Sequence, residues 1–182
     1  MINIGFDLDN TIVNCFDNFK TVSFRILKDD KINKFKSRET LRSYIRELYN
    51  DNTWTEIQAI VYGPEYSYSK PFKNTLGVLK NLLISKRINI YIVSHKTKMD
   101  SAKKGYNLQK YALCWIQENI INKDIKIDNK NIFLCETMDE KINVIKNLKL
   151  ECFVDDLEEI YIPLIEEISF PILFTSVEYA KD

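Results

Sequence analysis

The sequence predicts an α/β protein with a parallel sheet and a helical segment inserted after the first strand. Short apolar runs recur along the chain, and runs of this length and composition are typical of strands buried on both faces. Segments with apolar residues at helical spacing separate the later runs, which favours βαβ units. The gap from Phe6 to Ile88 is far longer than one crossover helix needs. The predicted strands are Ile2–Phe6, Ile88–Val93, Ile132–Leu134, Cys152–Val154 and Pro171–Phe174.

The long gap is predicted to hold a small helical insertion at 14–70. Its three expected helices are Phe16–Leu27, Ser37–Tyr49 and Thr53–Val61, and a turn-rich aromatic loop at Val61–Pro71 closes it. The predicted division is therefore a core domain of 1–13 and 71–182, with 14–70 as the insertion.

Composition limits the classes of partner. The chain has 182 residues, of which 45% are hydrophobic, which suits one compact core with a modest insertion. Lys plus Arg number 26, and so do Asp plus Glu, which makes the net charge zero. The charge of the chain therefore gives no reason to expect a nucleic-acid polymer as partner. No apolar run is long enough to span a membrane, and no signal peptide is recognisable. The four cysteines are widely spaced and read as reduced thiols, so we expect a cytoplasmic protein.

Polar residues follow three of the predicted strands. Asp7 and Asp9 follow the first strand, Ser94 the second, and Asp155 with Asp156 the fourth. Ligands of open parallel sheets bind outside the carboxyl ends of the strands, so these residues are expected at one edge. Carboxylates gathered there repel each other unless a hard cation lies among them. The sequence therefore predicts a cation site at this edge.

Asp7 and Asp9 form the most informative pair. If the chain coils after Asp7, one carboxylate can attack while the other transfers a proton to or from the leaving oxygen. Thr11 can form a local hydrogen bond that holds this turn. The alternative is that Asp-Leu-Asp-Asn is an ordinary solvated turn, since Asp and Asn favour turns.

A lysine in a helical first turn is the second candidate. Thr137 and Glu140 form a capping-box pattern that places Lys141 in the first turn, where the helix dipole disfavours a cation. Lys141 is therefore expected to reach the strand edge and neutralise a phosphate or the nucleophilic carboxylate. The alternative is a surface lysine paired with a neighbouring Glu, and Lys146 is a second candidate further from the edge.

In this order, these residues resemble the haloacid dehalogenase superfamily of aspartate-nucleophile phosphotransferases. The motif sequences are FDLDNTIV at 6–13, YIVS at 91–94, Lys141, and FVDD at 153–156. The resemblance implies a three-layer Rossmann-like parallel sheet, with 14–70 as a helical cap over the active site.

The resemblance also implies the role of each residue. Asp7 would form an aspartyl-phosphate, and Asp9 would protonate the leaving group and then activate water. Magnesium would be bound by Asp7, the backbone carbonyl of Asp9 and Asp156, with Asp155 close by or bound through water. The phosphate-binding residues would be Thr11, Ser94 and Lys141.

A finer resemblance concerns the substrate. SHKT at 94–97 and VDDLEEI at 154–160 are similar to small proteins found among surface-polysaccharide biosynthesis genes. This similarity implies a small phosphorylated metabolite such as a sugar phosphate, with His95 and Lys96 as substrate contacts. A lone histidine is nevertheless more often a packed or surface residue.

Three other functions remain open from the sequence. A phosphomutase could use the same carboxylate pair, because exclusion of water by the cap would decide between the two reactions. A 5′-(deoxy)nucleotidase could stack a base on Tyr62, Tyr66 or Tyr68, although these tyrosines could equally pack the cap onto the core. A non-catalytic binding module could retain the fold.

Overall fold

The computed structural model of the chain describes residues 1–175. Five parallel strands form one sheet in the order β5-β4-β1-β6-β7, and helices flank it. The predicted α/β class with a parallel sheet is confirmed. The strands are β1 (Ile2–Phe6), β4 (Ile88–His95), β5 (Ile132–Cys135), β6 (Cys152–Asp155) and β7 (Phe170–Leu173), and a separate two-stranded ladder joins β2 (Val13–Asn14) to β3 (Lys70–Pro71).

Six α-helices connect these strands within the described residues. The predicted helix Phe16–Leu27 has the bounds of α1, whereas the last predicted strand is displaced by one residue. The helices are α1 (Phe16–Leu27), α2 (Arg38–Leu48), α3 (Asp51–Tyr62), α4 (Thr75–Ile84), α5 (Leu108–Asn119) and α6 (Met138–Asn147). Throughout residues 1–175, the helices are too short or too polar to span a bilayer.

β1 lies at the centre of the sheet and is the point where the chain changes direction. From β1 the chain proceeds to β4 and β5 on one side, and it then returns to β6 and β7 on the other. In sheets of this type a ligand crevice forms at the carboxyl end of the strands, where the strand order reverses. Asp7 follows β1 at this end of the sheet, and its N–H donates to the carbonyl oxygen of Val154 at 2.8 Å.

The chain divides into two compact units. One consists of Met1–Val13, Pro71–Thr97 and the described residues from Ile116 onward, and the other of Asn14–Lys70 with Lys98–Trp115. The sequence-based division placed 98–115 in the core, whereas the structure groups these residues with the insertion. Positions 176–182 of the predicted core range lie outside the described residues.

Hydrogen bonds explain why 98–115 joins the second unit. Trp115 Nε1 donates to the carbonyl oxygen of Ser69 at 2.8 Å, and Lys104 Nζ lies 2.6 Å from Glu56 Oε1 on α3. Because these partners are distant in sequence, the apolar periodicity of 98–115 could not predict the contacts.

Aromatic packing fills the same unit. Tyr66 is fully buried, and its ring lies 6.2 Å from that of Trp115 and 6.3 Å from that of Tyr62. Tyr62 also contacts Phe19 edge-on at 5.4 Å. Two of the three tyrosines considered for base stacking are therefore engaged in packing, and Tyr68 is exposed.

Two glycines should respond to alanine in opposite directions. A Cβ at Gly5 in β1 would lie 2.6 Å from the Phe153 ring and also collide with Leu150, whereas a Cβ at Gly77 in α4 would meet nothing within 4 Å. We expect Gly5→Ala to lower the free energy of unfolding by about 1–3 kcal/mol through overpacking. Gly77→Ala should raise it by about 0.5–1 kcal/mol through helix propensity. Urea denaturation of both variants measures the free energy of unfolding. Equal changes in the two variants would contradict the packing described around β1.

Candidate active site

A tight turn takes the chain out of strand geometry directly after Asp7. The carbonyl oxygen of Leu8 accepts hydrogen bonds from the N–H groups of Ile12 (3.0 Å) and Val13 (2.9 Å). Asn10 lies in the left-handed region with φ of 61°, which asparagine tolerates better than most residues. Backbone hydrogen bonds within residues 8–13 therefore stabilise this turn.

Lys141 is buried between two carboxylates. Its Nζ lies 2.7 Å from Asp7 Oδ1 and 2.6 Å from Asp155 Oδ2, and its side chain is only 1% exposed. Asp155 is fully buried as well. This geometry excludes the surface-lysine alternative and brings together residues from β1, α6 and β6.

The start of α6 positions this lysine. Thr137 is the N-cap, and its hydroxyl accepts a hydrogen bond from the N–H of Glu140 at 3.1 Å. The Glu140 carboxylate accepts from the N–H of Glu136 at 2.7 Å, instead of from Thr137 as in a reciprocal capping box. Lys141 thus lies in the first turn, and its two carboxylate partners outweigh the unfavourable dipole of a few tenths of a kcal/mol.

Asp7, Asp155 and Asp156 have the chemistry of a divalent-cation site. One carboxylate oxygen from each lies within 4.8 Å of the others. Asp155 already binds Lys141 through Oδ2 and accepts from the N–H of Leu157 through Oδ1 at 3.0 Å. With Asp9, four carboxylates here face the ammonium groups of Lys96 and Lys141, which leaves two negative charges in excess. Oxygen donors with this excess fit Mg²⁺.

In the absence of a cation, the surroundings of Asp7 raise the pKa of its carboxyl group. Burial raises the pKa of Asp7 to about 7, although the ammonium of Lys141 opposes the rise, and the carboxylates of Asp155 and Asp9 add to it. The carboxylates of Asp7 and Asp155 raise the pKa of Lys141 against the effect of burial, so this lysine stays charged. A bound cation would lower the pKa of Asp7 again and keep it ionised.

The second lysine of the site contacts Asp9. Lys96 is buried, and its Nζ forms an ion pair with Asp9 Oδ2. Ser94, two residues earlier, is buried in β4, whereas His95 between them is exposed and its ring Nε2 lies 3.2 Å from the carbonyl oxygen of Glu136. Of the two tentative substrate contacts, Lys96 therefore binds a carboxylate of the site itself.

Two buried polar atoms in the turn after Asp7 have no hydrogen-bond partner among the described residues. They are the side-chain Nδ2 of Asn10 and the hydroxyl of Thr11. The predicted local hydrogen bond of Thr11 is therefore wrong, because backbone groups hold the turn. A buried donor without a partner loses its hydration and gains nothing, so both groups favour a bound acceptor.

Sequence reasoning missed Asn10 and the pairing of Lys96 with Asp9. The signal for Lys96 was its spacing of two from Ser94, which places both on one side of a strand. No local pattern distinguishes an unpartnered asparagine amide from a solvated one, so Asn10 required the tertiary structure.

Comparisons of the chain with known proteins identify its fold. Neither a protein-family model nor a curated protein matches the sequence. A haloacid dehalogenase-like family hydrolase from Streptococcus pneumoniae superimposes with a TM-score of 0.57 at 16% identity, over 96% of this chain and 85% of the other. A Lactobacillus delbrueckii subsp. bulgaricus protein, provisionally assigned as a phosphoglycolate phosphatase, gives 0.56 at 17% identity over 98% and 90%. A provisionally assigned phosphatase from Clostridium difficile gives 0.54 at 15% identity over 99% and 96%.

At this level of identity the likenesses concern the fold. The chain has the fold of the haloacid dehalogenase-like hydrolases.

The raised pKa of Asp7 predicts a pH-dependent stability in protein freed of divalent cations. Between pH 3.8 and about 7 the folded protein keeps a proton that the unfolded chain releases, so the free energy of unfolding falls as pH rises. We expect Asp7→Asn to remove this slope and to be more stable than the wild type at pH 8 by ~1–3 kcal/mol. Denaturant unfolding at pH 4 to 8 measures the slope.

Added Mg²⁺ provides the control for this prediction. It should stabilise the wild type more than Asp7→Asn, because the variant lacks one of the three carboxylates of the candidate cation site. A slope that persists unchanged in Asp7→Asn would assign the pH dependence to another group.

Proposed function

We propose that the protein is a Mg²⁺-dependent phosphohydrolase that acts on a small phosphorylated metabolite through an aspartyl-phosphate on Asp7. The observation that carries this proposal is the buried Lys141, which holds Asp7 at the end of the central strand, beside Asp155 and Asp156. A buried carboxylate so positioned is a nucleophile that needs no further activation once it is ionised.

Asp7 and Asp9 carry out the two chemical steps, formation and hydrolysis of the aspartyl-phosphate. An oxygen of Asp7 attacks phosphorus, the bond to the ester oxygen breaks, and Asp9 donates a proton to the leaving oxygen. Asp9 then takes a proton from the water that attacks phosphorus, which releases phosphate and regenerates Asp7. Mg²⁺ held by Asp7, the Asp9 carbonyl and Asp156 would neutralise the developing phosphoryl charge.

Donors around Asp7 support binding of a phosphoryl group. Lys141 supplies a positive charge, and Ser94 is buried at the end of β4. Asn10 and Thr11 add donors without a partner among the described residues. Charge-assisted hydrogen bonds of this kind bind oxyanions strongly.

A sugar phosphate is the substrate class that we propose within this chemistry. It rests on the similarity of SHKT at 94–97 to proteins of surface-polysaccharide biosynthesis. A nucleotidase is less favoured, because Tyr62 and Tyr66 are occupied by packing against other aromatic rings.

The nucleophile is tested by Asp7→Asn. We expect this change to abolish Mg²⁺-dependent phosphate release from p-nitrophenyl phosphate, a loss of at least about 10³-fold, because the amide cannot form the acyl phosphate. Asp17→Asn, the same change at a carboxylate whose side chain is 84% exposed, is the matched control and should retain full activity.

Unchanged turnover by Asp7→Asn would overturn the proposed function. A panel of sugar phosphates, assayed for both phosphate release and interconversion, separates a phosphatase from a phosphomutase. A folded, Mg²⁺-binding wild type without either activity would favour a binding module instead.

The unpartnered hydroxyl of Thr11 gives a separate prediction. Thr11→Val keeps the shape of the side chain and removes a buried donor, so the free energy of unfolding should stay the same or rise by about 1 kcal/mol. If this hydroxyl binds the phosphoryl group, KM for the aryl phosphate should rise about tenfold. Thr21→Val on the exposed face of α1 is the control and should leave KM unchanged. A stable Thr11→Val with wild-type KM would exclude Thr11 from phosphate binding.

A further inference from the structure

Asp9 makes two proton transfers in the proposed mechanism, and both require its carboxylate to be held in a fixed orientation. The ammonium of Lys96 pairs directly with Asp9 Oδ2. The side chain of Lys96 is 3% exposed and that of Asp9 is 14% exposed, so the pair is largely shielded from water. A lysine is rarely buried to this extent without a fixed anionic partner.

The backbone around Lys96 is fixed as well. Its N–H donates to the carbonyl oxygen of Cys135 at 2.7 Å, which continues the pairing of β4 with β5 one residue past the end of β4. The Asp9 side lies in the turn after β1, where residue 9 forms a bridge with Val13. The backbone of Lys96 is therefore held by the central sheet, and that of Asp9 by the bridge to Val13 in the turn after β1.

Lys96 and Lys141 have different partners. Lys141 contacts Asp7 and Asp155, whereas Lys96 contacts Asp9. The two lysines that contact Asp7 and Asp9 thus come from different elements of the sheet unit.

We propose that Lys96 is a positioning residue that holds the Asp9 carboxylate in the orientation required for proton transfer. This inference rests on the proposed function, since it assigns a task only if Asp9 is the acid–base group. It differs from the direct substrate contact expected from the sequence, because the ammonium of Lys96 is paired with Asp9.

The role has a kinetic signature. Formation of the aspartyl-phosphate from an aryl phosphate needs little help from an acid, because a nitrophenolate leaves unprotonated. Hydrolysis of the aspartyl-phosphate needs Asp9 to activate water whatever the leaving group was. Loss of the positioning contact should therefore slow the second step much more than the first.

The test uses Lys96→Met, which keeps the length of the side chain and removes its charge, and Lys96→Arg, which keeps the charge. After rapid mixing with p-nitrophenyl phosphate and Mg²⁺, Lys96→Met should release a burst of about one nitrophenolate per protein. Its steady-state turnover should then be roughly 10- to 100-fold below that of the wild type, within the range of general acid–base effects. Lys96→Arg should recover most of this turnover.

Other outcomes would overturn the proposal. A raised KM with unchanged kcat and no burst would make Lys96 a substrate contact. An equal loss of burst rate and turnover, with no recovery by arginine, would make its role purely structural.

A double-mutant cycle with Asp9→Asn keeps the test valid if Lys96→Met folds poorly. In the Asp9→Asn background the pair has lost its negative charge, and Lys96→Met should change turnover by less than about twofold if Lys96 acts through Asp9. A further tenfold fall would overturn the proposal. The same cycle in melting temperature, without Mg²⁺, should show non-additive shifts, and additive shifts would mean that the pair does not interact.

Failure of the proposed function is distinct from failure of this inference. A wild type that releases no phosphate under these conditions would sink the former. An active wild type whose Lys96→Met variant behaves in any of the contrary ways above would sink only the latter.

Discussion

Burial of a charged lysine between two aspartates is the interaction on which the site depends. Lys141 comes from the first turn of α6, Asp7 from the end of β1 and Asp155 from β6, so one ammonium links three elements of the sheet unit. A buried charge is tolerated only when its partners are close and well oriented. Asp7 and Lys141 are 134 residues apart in sequence, which means that the fold must be formed before either charge is compensated.

The same arrangement lowers the stability of the folded protein at the site. Asp7, Asp155 and Asp156 outnumber the ammonium of Lys141, and burial together with the carboxylates of Asp155 and Asp9 raises the pKa of Asp7. Sites that bind a divalent cation commonly carry this excess, because the cation and the anionic substrate together complete the charge balance. A turn residue in the left-handed region and two buried donors without a partner add to the cost at the same place.

Lys96 shows how strand geometry places charge on one side of the chain. Ser94 and Lys96 lie two residues apart at the end of β4, whereas His95 between them is exposed. Alternation along a strand accounts for this difference, since successive side chains point to opposite faces. The interior of the second unit is packed from aromatic rings such as Phe19 and Tyr66.

By itself, the sequence determined the parallel strands, the helix α1 and the positions of Asp7, Ser94, Lys141 and Asp155 at strand or helix ends. Local periodicity and end signals suffice for these features, because each depends on residues close together in the chain. Only the tertiary structure decided the partners: Lys96 with Asp9, residues 98–115 with the inserted helices, and the unpartnered groups of Asn10 and Thr11. Hydrogen-bond satisfaction and ion pairing depend on atoms that are distant in sequence, so no local pattern could assign them.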